Sequence, residues 1–276
     1  MDDMTQDMTL VVGGTGKTGR RVVERLRAAG RPVRVGSRTG EPPFDWDDRA
    51  TWGPALAGVS AAYVAFAPDL AVPGAPATVG ALAELAASRG VQRLVLLSGR
   101  GEPEAEETER AARAAMPDCT VVRSSWFSQN FSESFLLEPV RSGEVALPVD
   151  GVPEPFVDLE DVADVAVAAL TRDGHAGHLH ELTGPEALTF EEALRQIAAA
   201  AGRPVRLVRV SGEDYATALT AQGVPDEVVG LMSYLFTEVL DGRNARPTDG
   251  VQRALGRPPR PFGDYARRAA QAGAWA

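Results

Sequence analysis

The 276-residue chain has one cysteine, Cys119, and one lysine, Lys17. A lone cysteine excludes an intrachain disulfide and suits a reducing compartment. The three histidines, His175, His178 and His180, fall in one short stretch. Their spacing fits metal-ligand motifs poorly, so no metal is expected. No apolar run approaches the ~20 residues that span a bilayer. The start, Met1 to Met8, is acidic and polar, without the basic opening and apolar stretch of a signal peptide. A cytoplasmic protein with no membrane partner is the expectation. Positive charge is also in deficit, with 28 Lys and Arg against 38 Asp and Glu, a net charge of −10. A surface of that sign repels phosphate backbones, so no nucleic-acid partner is expected. Arg253, Arg257, Arg260, Arg267 and Arg268 read as a solvated face. No Gly-x-Ser-x-Gly or Cys/His pairing marks a covalent nucleophile.

What is present is a rhythm. Short apolar runs at Thr9–Val12, Val33–Val35, Ala61–Ala67, Arg93–Ser98 and Thr120–Arg123 alternate with Ala-rich amphipathic stretches, roughly 77–88 and 103–115. That alternation implies right-handed βαβ crossovers and a parallel sheet. Leu10-Val11-Val12 and Leu94-Val95-Leu96-Leu97 are apolar without alternation, as strands buried on both faces are. After Arg123 the pattern changes. A helix reads at 158–170, a strand at 180–183, and mostly helix from 189 onward, at 190–201, 213–222, 226–240 and after Phe262. Leu147–Pro155 is rich in Pro and Gly and reads as irregular. The acidic run Glu102–Glu109 sits in the first turns of a helix and is expected to be solvated.

The segment Gly13-Gly14-Thr15-Gly16-Lys17-Thr18-Gly19 follows the first strand and opens the first helix. Gly13 allows the tight turn, Gly16 lets backbone approach a pyrophosphate, and Gly19 lets helix pack on sheet. The helix start then aims N–H groups and a positive dipole end at the phosphates. This is the dinucleotide-binding context, and the fold class expected is α/β, a doubly wound parallel Rossmann sheet. The smaller part expected with it is a mostly helical C-terminal substrate part. The boundaries expected are 1–130 for the NADP-binding domain, returning at about 155–185, and 186–276 with 131–154 for the substrate part. An NAD site places a carboxylate at the end of the second strand, whereas this chain reads Val35-Gly36-Ser37-Arg38. Arg38 can pair with a 2′-phosphate, Ser37 can donate to it, and Lys17 projects from the adjacent loop. NADP(H) is therefore the expected cofactor.

Further motifs carry a resemblance. They are Phe44-Asp45-Trp46-Asp47-Asp48 with Thr51-Trp52, Val95-Leu96-Leu97-Ser98, and Ser125-Trp126-Phe127-Ser128-Gln129-Asn130-Phe131. Pro155-Phe156-Val157-Asp158-Leu159-Glu160-Asp161-Val162-Ala163 and Leu182-Thr183-Gly184-Pro185-Glu186 extend them. Over nearly its whole length the chain resembles the NmrA-like family of atypical short-chain dehydrogenases/reductases. The Asp-Trp segment and Trp-Phe-x-x-Asn-Phe look like the bacterial relatives of ergot-alkaloid reductases. The resemblance implies Asp45, with Trp46, near adenine, and Ala65-Phe66-Ala67 along the ribose and pyrophosphate. It implies Ser98 beside the nicotinamide. It implies Trp126, Phe127, Gln129, Asn130 and Phe156 around nicotinamide and substrate.

The chain departs from ordinary short-chain dehydrogenases at the Tyr-x-x-x-Lys pair, in which lysine lowers the tyrosine pKa for proton transfer. Its one lysine lies in the glycine loop. Tyr63, Tyr215, Tyr234 and Tyr265 are followed four positions on by Ala67, Leu219, Glu238 and Ala269. The expectation is an NADPH-dependent reductase of a small activated C=N, C=O or C=C substrate, for which positioning carries much of the barrier. The alternatives are an NADP(H)-sensing regulator without chemistry, or a non-redox isomerase or cyclase. Ser98, Ser125 and Tyr215 are the side chains to weigh as proton donors; none is assigned, and the oligomeric state is left open.

Overall fold

The computed structural model describes residues 8–276, so the acidic start before Met8 lies outside the described residues. The strands are β1 (Met8–Val12), β2 (Val33–Gly36), β3 (Val59–Val64), β4 (Arg93–Gly99), β5 (Thr120–Ser124), β6 (Glu144–Leu147), β7 (Leu179–Leu182) and β8 (Arg206–Arg209). Six form one sheet in the order β2-β1-β3-β4-β5-β7, with β1 to β5 paired in parallel. The order reverses direction at β1, and ligands of open α/β sheets bind in the crevice outside the carboxyl ends at such a point. No helix of the described residues is long and apolar enough to cross a membrane.

The chain divides into two compact units. The first comprises residues up to Ser124 with Leu159–Glu181 and Gly250–Gly256. Leu10, Leu94 and Leu96, in β1 and β4, are buried with Trp52, Leu56 and Cys119. Helix Lys17–Ala28 turns Val22, Val23 and Leu26 inward and ends at Gly30, whose φ is 69°. Its outer residues Arg21 and Arg25 reach helix Leu159–Thr171. Arg21 donates to Glu160 and Arg25 to Asp164, each at 2.7 Å.

The second unit comprises Ser125–Asp158, Leu182–Asp249 and Arg257–Ala276. Its core is aromatic: Phe131, Phe156, Phe190 and Phe262 pack edge-on or tilted with ring centroids 5.1–5.8 Å apart. Helix Phe190–Ala201 begins on a capping box, Thr189 accepting from the Glu192 N–H while Glu192 accepts from the Thr189 N–H. Such a box satisfies two otherwise orphaned donors. Three sequence expectations are corrected here. β6 and β8 form a two-stranded parallel sheet that was not foreseen, because each is four residues long and gains its partner only from a segment some sixty positions away. The helix expected over 226–240 ends at Tyr234 and gives way to a π turn, Leu235–Val239. In the first unit, the acidic run is not uniformly solvated: Glu102 and Glu109 are 6% and 4% exposed. Glu109 is drawn inward by Ser98 and Arg123, contacts that a count of charges does not reveal.

Candidate cofactor site and the polar groups around it

In the glycine loop each glycine answers to a different neighbour. Gly13 has φ +72°, a left-handed conformation that favours glycine. A Cβ on Gly19 would lie 2.2 Å from the Gly13 carbonyl oxygen, and one on Gly14 would lie 2.8 Å from that of Val11. Gly16, by contrast, has only the Gly13 oxygen nearby, at 3.2 Å, so its outer face is open. Gly16 is also the N-cap of helix Lys17–Ala28, and no side chain caps it. The first turn carries no acidic residue, leaving a positive helix end suited to an anion. Thr18 is buried beside the Tyr63 hydroxyl, so it supports the loop from behind.

A groove of about 750 Å³ runs along the carboxyl ends of β1, β2 and β3. Gly13, Thr15, Ser37, Arg38, Asp45 and Trp46 line it, and Ala65, Phe66 and Ala67 form its wall beyond β3. Its size is that of sites that enclose a small organic ligand. Arg38 is exposed and forms no ion pair within the described residues. Ser37 lies beside it, its hydroxyl 3.5 Å from that of Thr39. Asp45 is fixed by its own turn: its Oδ1 accepts from the Asp47 N–H at 3.1 Å, and its carbonyl accepts from Trp52 Nε1 at 2.7 Å. Trp46 stands among Phe44, Trp52 and Phe66, with centroids 4.8–5.9 Å away. Phe44, Thr39 and the segment Val72-Pro73-Gly74 also line the groove. Sequence reasoning missed Val72-Pro73-Gly74 because the segment after β3 has no periodicity and returns to the groove only through the fold.

The side chains weighed as proton donors are all engaged. Ser98 is buried and donates its hydroxyl to Glu109 Oε1 at 2.6 Å. The same carboxylate accepts from Arg123 at Nε, 2.9 Å, and Nη2, 2.6 Å. This draws Glu109 inward, and the arginine's third partner, Glu106, lies 3.1 Å away. Ser125 donates to Glu154 at 2.5 Å, both buried. Tyr215 packs on Phe236, and burial pushes its hydroxyl up to about 12.

In the second unit Trp126 rests against Phe190 and Phe236, at 5.6 and 5.0 Å. Phe156 is in the aromatic core. Gln129 donates from Nε2 to Asp158 Oδ1 at 2.7 Å, and Arg268 pairs with the other oxygen of Asp158. Phe127 bridges to Val157, and Asn130 opens the short helix Asn130–Glu133. The histidines meet in the first unit, His175 Nδ1 lying 3.0 Å from His180 Nε2 and His178 stacking on His180 at 5.8 Å. No cluster suited to a metal ion occurs among the described residues.

A parallel sheet with a glycine-rich turn at its switch point defines an NAD(P)-binding Rossmann protein. No family model matches the chain. It is 34% identical over 284 residues to the uncharacterized oxidoreductase YesF of Bacillus subtilis, covering 99% of this chain and 98% of that one. It is 36% identical over 288 residues to the (4-alkanoyl-5-oxo-2,5-dihydrofuran-3-yl)methyl phosphate reductase of Streptomyces griseus, covering 96% and 99%. The triphenylmethane reductase of Citrobacter sp., solved as a complex with NADP(H), shares the fold with a TM-score of 0.76 at 20% identity, over 95% and 99% of the two chains. The chain belongs to the NmrA-like family of atypical short-chain dehydrogenases/reductases, a family of NAD(P)-binding oxidoreductases.

Proposed function

We propose that the protein is an NADPH-dependent reductase of a small, activated C=N, C=O or C=C substrate that works without a Tyr-x-x-x-Lys dyad. The observation that carries this reading is the groove, where an unpaired Arg38 flanks an open glycine turn and an uncapped helix start. The backbone at Gly13, Thr15 and Gly16 holds the pyrophosphate against the helix end. Arg38 and Ser37, with Lys17 adjacent, hold the 2′-phosphate; guanidinium–phosphate contacts are charge-assisted and geometrically selective. Asp45 and Trp46 face the adenine, and Ala65, Phe66 and Ala67 line the ribose. When bound, the cofactor supplies a hydride. Trp126, Phe127 and Asn130, each partly exposed, form the substrate-recognising segment of the second unit, while Phe156 and Gln129, expected there from the resemblance, are buried and support it. The rings recognise an apolar substrate, and Asp158, accepting from both Gln129 and Arg268, fixes the segment that carries them.

The name of the Streptomyces relative's substrate describes a ring double bond beside two carbonyl groups. An alkene of that kind accepts hydride at carbon without prior protonation, which suits a chain lacking the dyad.

The test is titration with NADPH and NADH, followed by tryptophan fluorescence, since Trp46 lines the groove. NADPH is expected to bind at least about tenfold more tightly, ~1.4 kcal/mol. Arg38→Ala is expected to erase most of that preference. An acceptor screen at saturating NADPH then follows. Binding with no oxidation across cationic dyes, quinones, enones and iminium compounds would leave the sensor reading in its place.

A further inference from the structure

The reductase reading leaves one proton to be supplied, and Ser98, Ser125 and Tyr215 are each tied up or packed away. One buried acid is held differently, with one carboxyl oxygen left without a partner. Glu102 is the residue before helix Pro103–Ala115, in the N-cap position, yet its side chain caps nothing. It folds back over the end of β4 instead, so that a Cβ on Gly99 would lie 1.9 Å from its Oε1. Only 6% of the residue is exposed, and Oε2 has no hydrogen-bond partner. Asp69 faces it from the segment after β3, and Glu104 stands nearby on its own helix. Asp69 is half-buried, and its Oδ1 accepts from the Ala71 N–H at 2.8 Å. The residue before it, Pro68, lines the cofactor groove, as do Val72 and Gly74 beyond it.

A buried, unpaired carboxylate costs several kcal/mol and normally protonates instead. Here burial, with Asp69 and then Glu104 adding negative charge, pushes the Glu102 carboxyl up to about 9. It therefore holds its proton at pH 7. Glu102 caps nothing, its Oε2 is left without a partner and its side-chain contact is to another acid, Asp69; a buried acid held in that way is characteristic of a functional group.

We propose that Glu102, buried over Gly99 at the carboxyl end of β4, is the proton donor of this reductase, with Asp69 as its route to solvent. The proposal rests on the reductase reading. The hydride brings two electrons and one hydrogen to the electrophilic carbon and leaves NADP⁺. The oxygen, nitrogen or α-carbon that gains the electron pair takes the carboxyl proton of Glu102. The carboxylate left behind regains a proton from water past Asp69.

The first readout needs no cofactor. At pH 7 the wild-type protein is expected to show the infrared carbonyl stretch of a protonated carboxyl, absent in Glu102→Gln and fading as pH passes about 9. Asp69→Asn, which removes the nearest negative charge, is expected to shift that fading to lower pH. The second readout is turnover with NADPH. With a quinone or enone acceptor, wild-type kcat is expected to fall as pH rises past the same value. Glu102→Gln is expected to lose this limb and about 10²-fold in kcat, with NADPH affinity unchanged. With a cationic triarylmethane dye, which needs hydride alone, the two forms are expected to turn over equally. Absence of the carbonyl band, or a wild-type pH profile and kcat in Glu102→Gln with the enone, overturns the assignment of Glu102 alone. A wild-type protein that reduces neither acceptor overturns the reductase reading and the donor with it.

Discussion

Two single-methyl substitutions in the glycine loop separate packing from binding. In Gly19→Ala the new Cβ would lie 2.2 Å from the Gly13 oxygen, 2.7 Å from the Gly13 carbonyl carbon and 2.8 Å from the Gly14 Cα. All three are backbone atoms, so no rotamer change relieves the clash. Reaching an ordinary contact of 3.4 Å requires helix and loop to part by about 1 Å. Overpacking of that kind costs ~1–3 kcal/mol, which for a chain of this size lowers Tm by roughly 2–4 °C per kcal/mol. A displacement near 1 Å also spoils a phosphate cradle, and a loss on the order of 10²-fold is typical of misplacement on that scale. Gly16→Ala differs. Its φ of −75° suits alanine, and its nearest neighbour is the Gly13 oxygen at 3.2 Å, which must yield only slightly. The methyl instead occupies the open face where pyrophosphate is to lie. Thermal melts should therefore place Gly16→Ala within about 0.5 kcal/mol of wild type, the usual range away from packed sites. Fluorescence titration should show its Kd for NADPH raised at least about tenfold. Gly19→Ala should lose on both measures. An unchanged Kd in Gly16→Ala would refute the reasoning, because the loop would then not approach a phosphate at Gly16.

Other expectations test the frame around the site. Glu109→Ala leaves Arg123 with the ion pair to Glu106 and the field of Glu181, and strands the Ser98 hydroxyl. Breaking a buried pair costs ~3–5 kcal/mol, and the remaining Glu106 contact places this variant toward the lower end in urea unfolding; a loss under about 1 kcal/mol would count against a structural network. His180 is held down to about 4 by burial, then by His175, His178 and Arg253. Its folded-state value lies below the ordinary 6.5, so below that pH the unfolded chain binds the extra proton and the folded one does not. Stability should therefore fall as pH drops from about 6.5 towards 4, and His180→Gln should flatten the upper part of that window in urea midpoints. Cys119 is fully buried, and burial pushes its thiol up to about 12. A thiol reagent at pH 8 should leave it untouched until denaturant is added; rapid labelling of the native protein would contradict its place in the core.

The sequence carried the first unit's layout because its signals are local. Leu10-Val11-Val12 and Leu94–Leu97 are apolar on consecutive positions and became central strands. Gly13, Gly16 and Gly19 mark a turn whose chemistry sits within seven residues, and Ser37-Arg38 follows a strand end directly. Each can be read without knowing what the rest of the chain does. The NADP(H) expectation and the family resemblance both drew on such contiguous stretches.

Tertiary structure alone decided the rest, because the partners lie far apart in the chain. β6 and β8 are recognisable only as a pair, Glu144 opposite Arg206 and Leu147 opposite Arg209. The hydroxyl of Ser98 looked available for chemistry until Glu109, one helix later, accepted it. Most telling is the acidic run. On helical periodicity and composition, Glu102–Glu109 is a solvated helix start. In the folded protein Glu109 is neutralised by Arg123 from β5, while Glu102 is pressed over Gly99 and faced by Asp69 from the loop after β3. A carboxyl's protonation depends on the dielectric and the charges within a few ångströms. For Glu102 and Glu109 the largest of those charges, Asp69 and Arg123, come from a loop and a strand outside their own helix, and only the packing of the sheet brings them close.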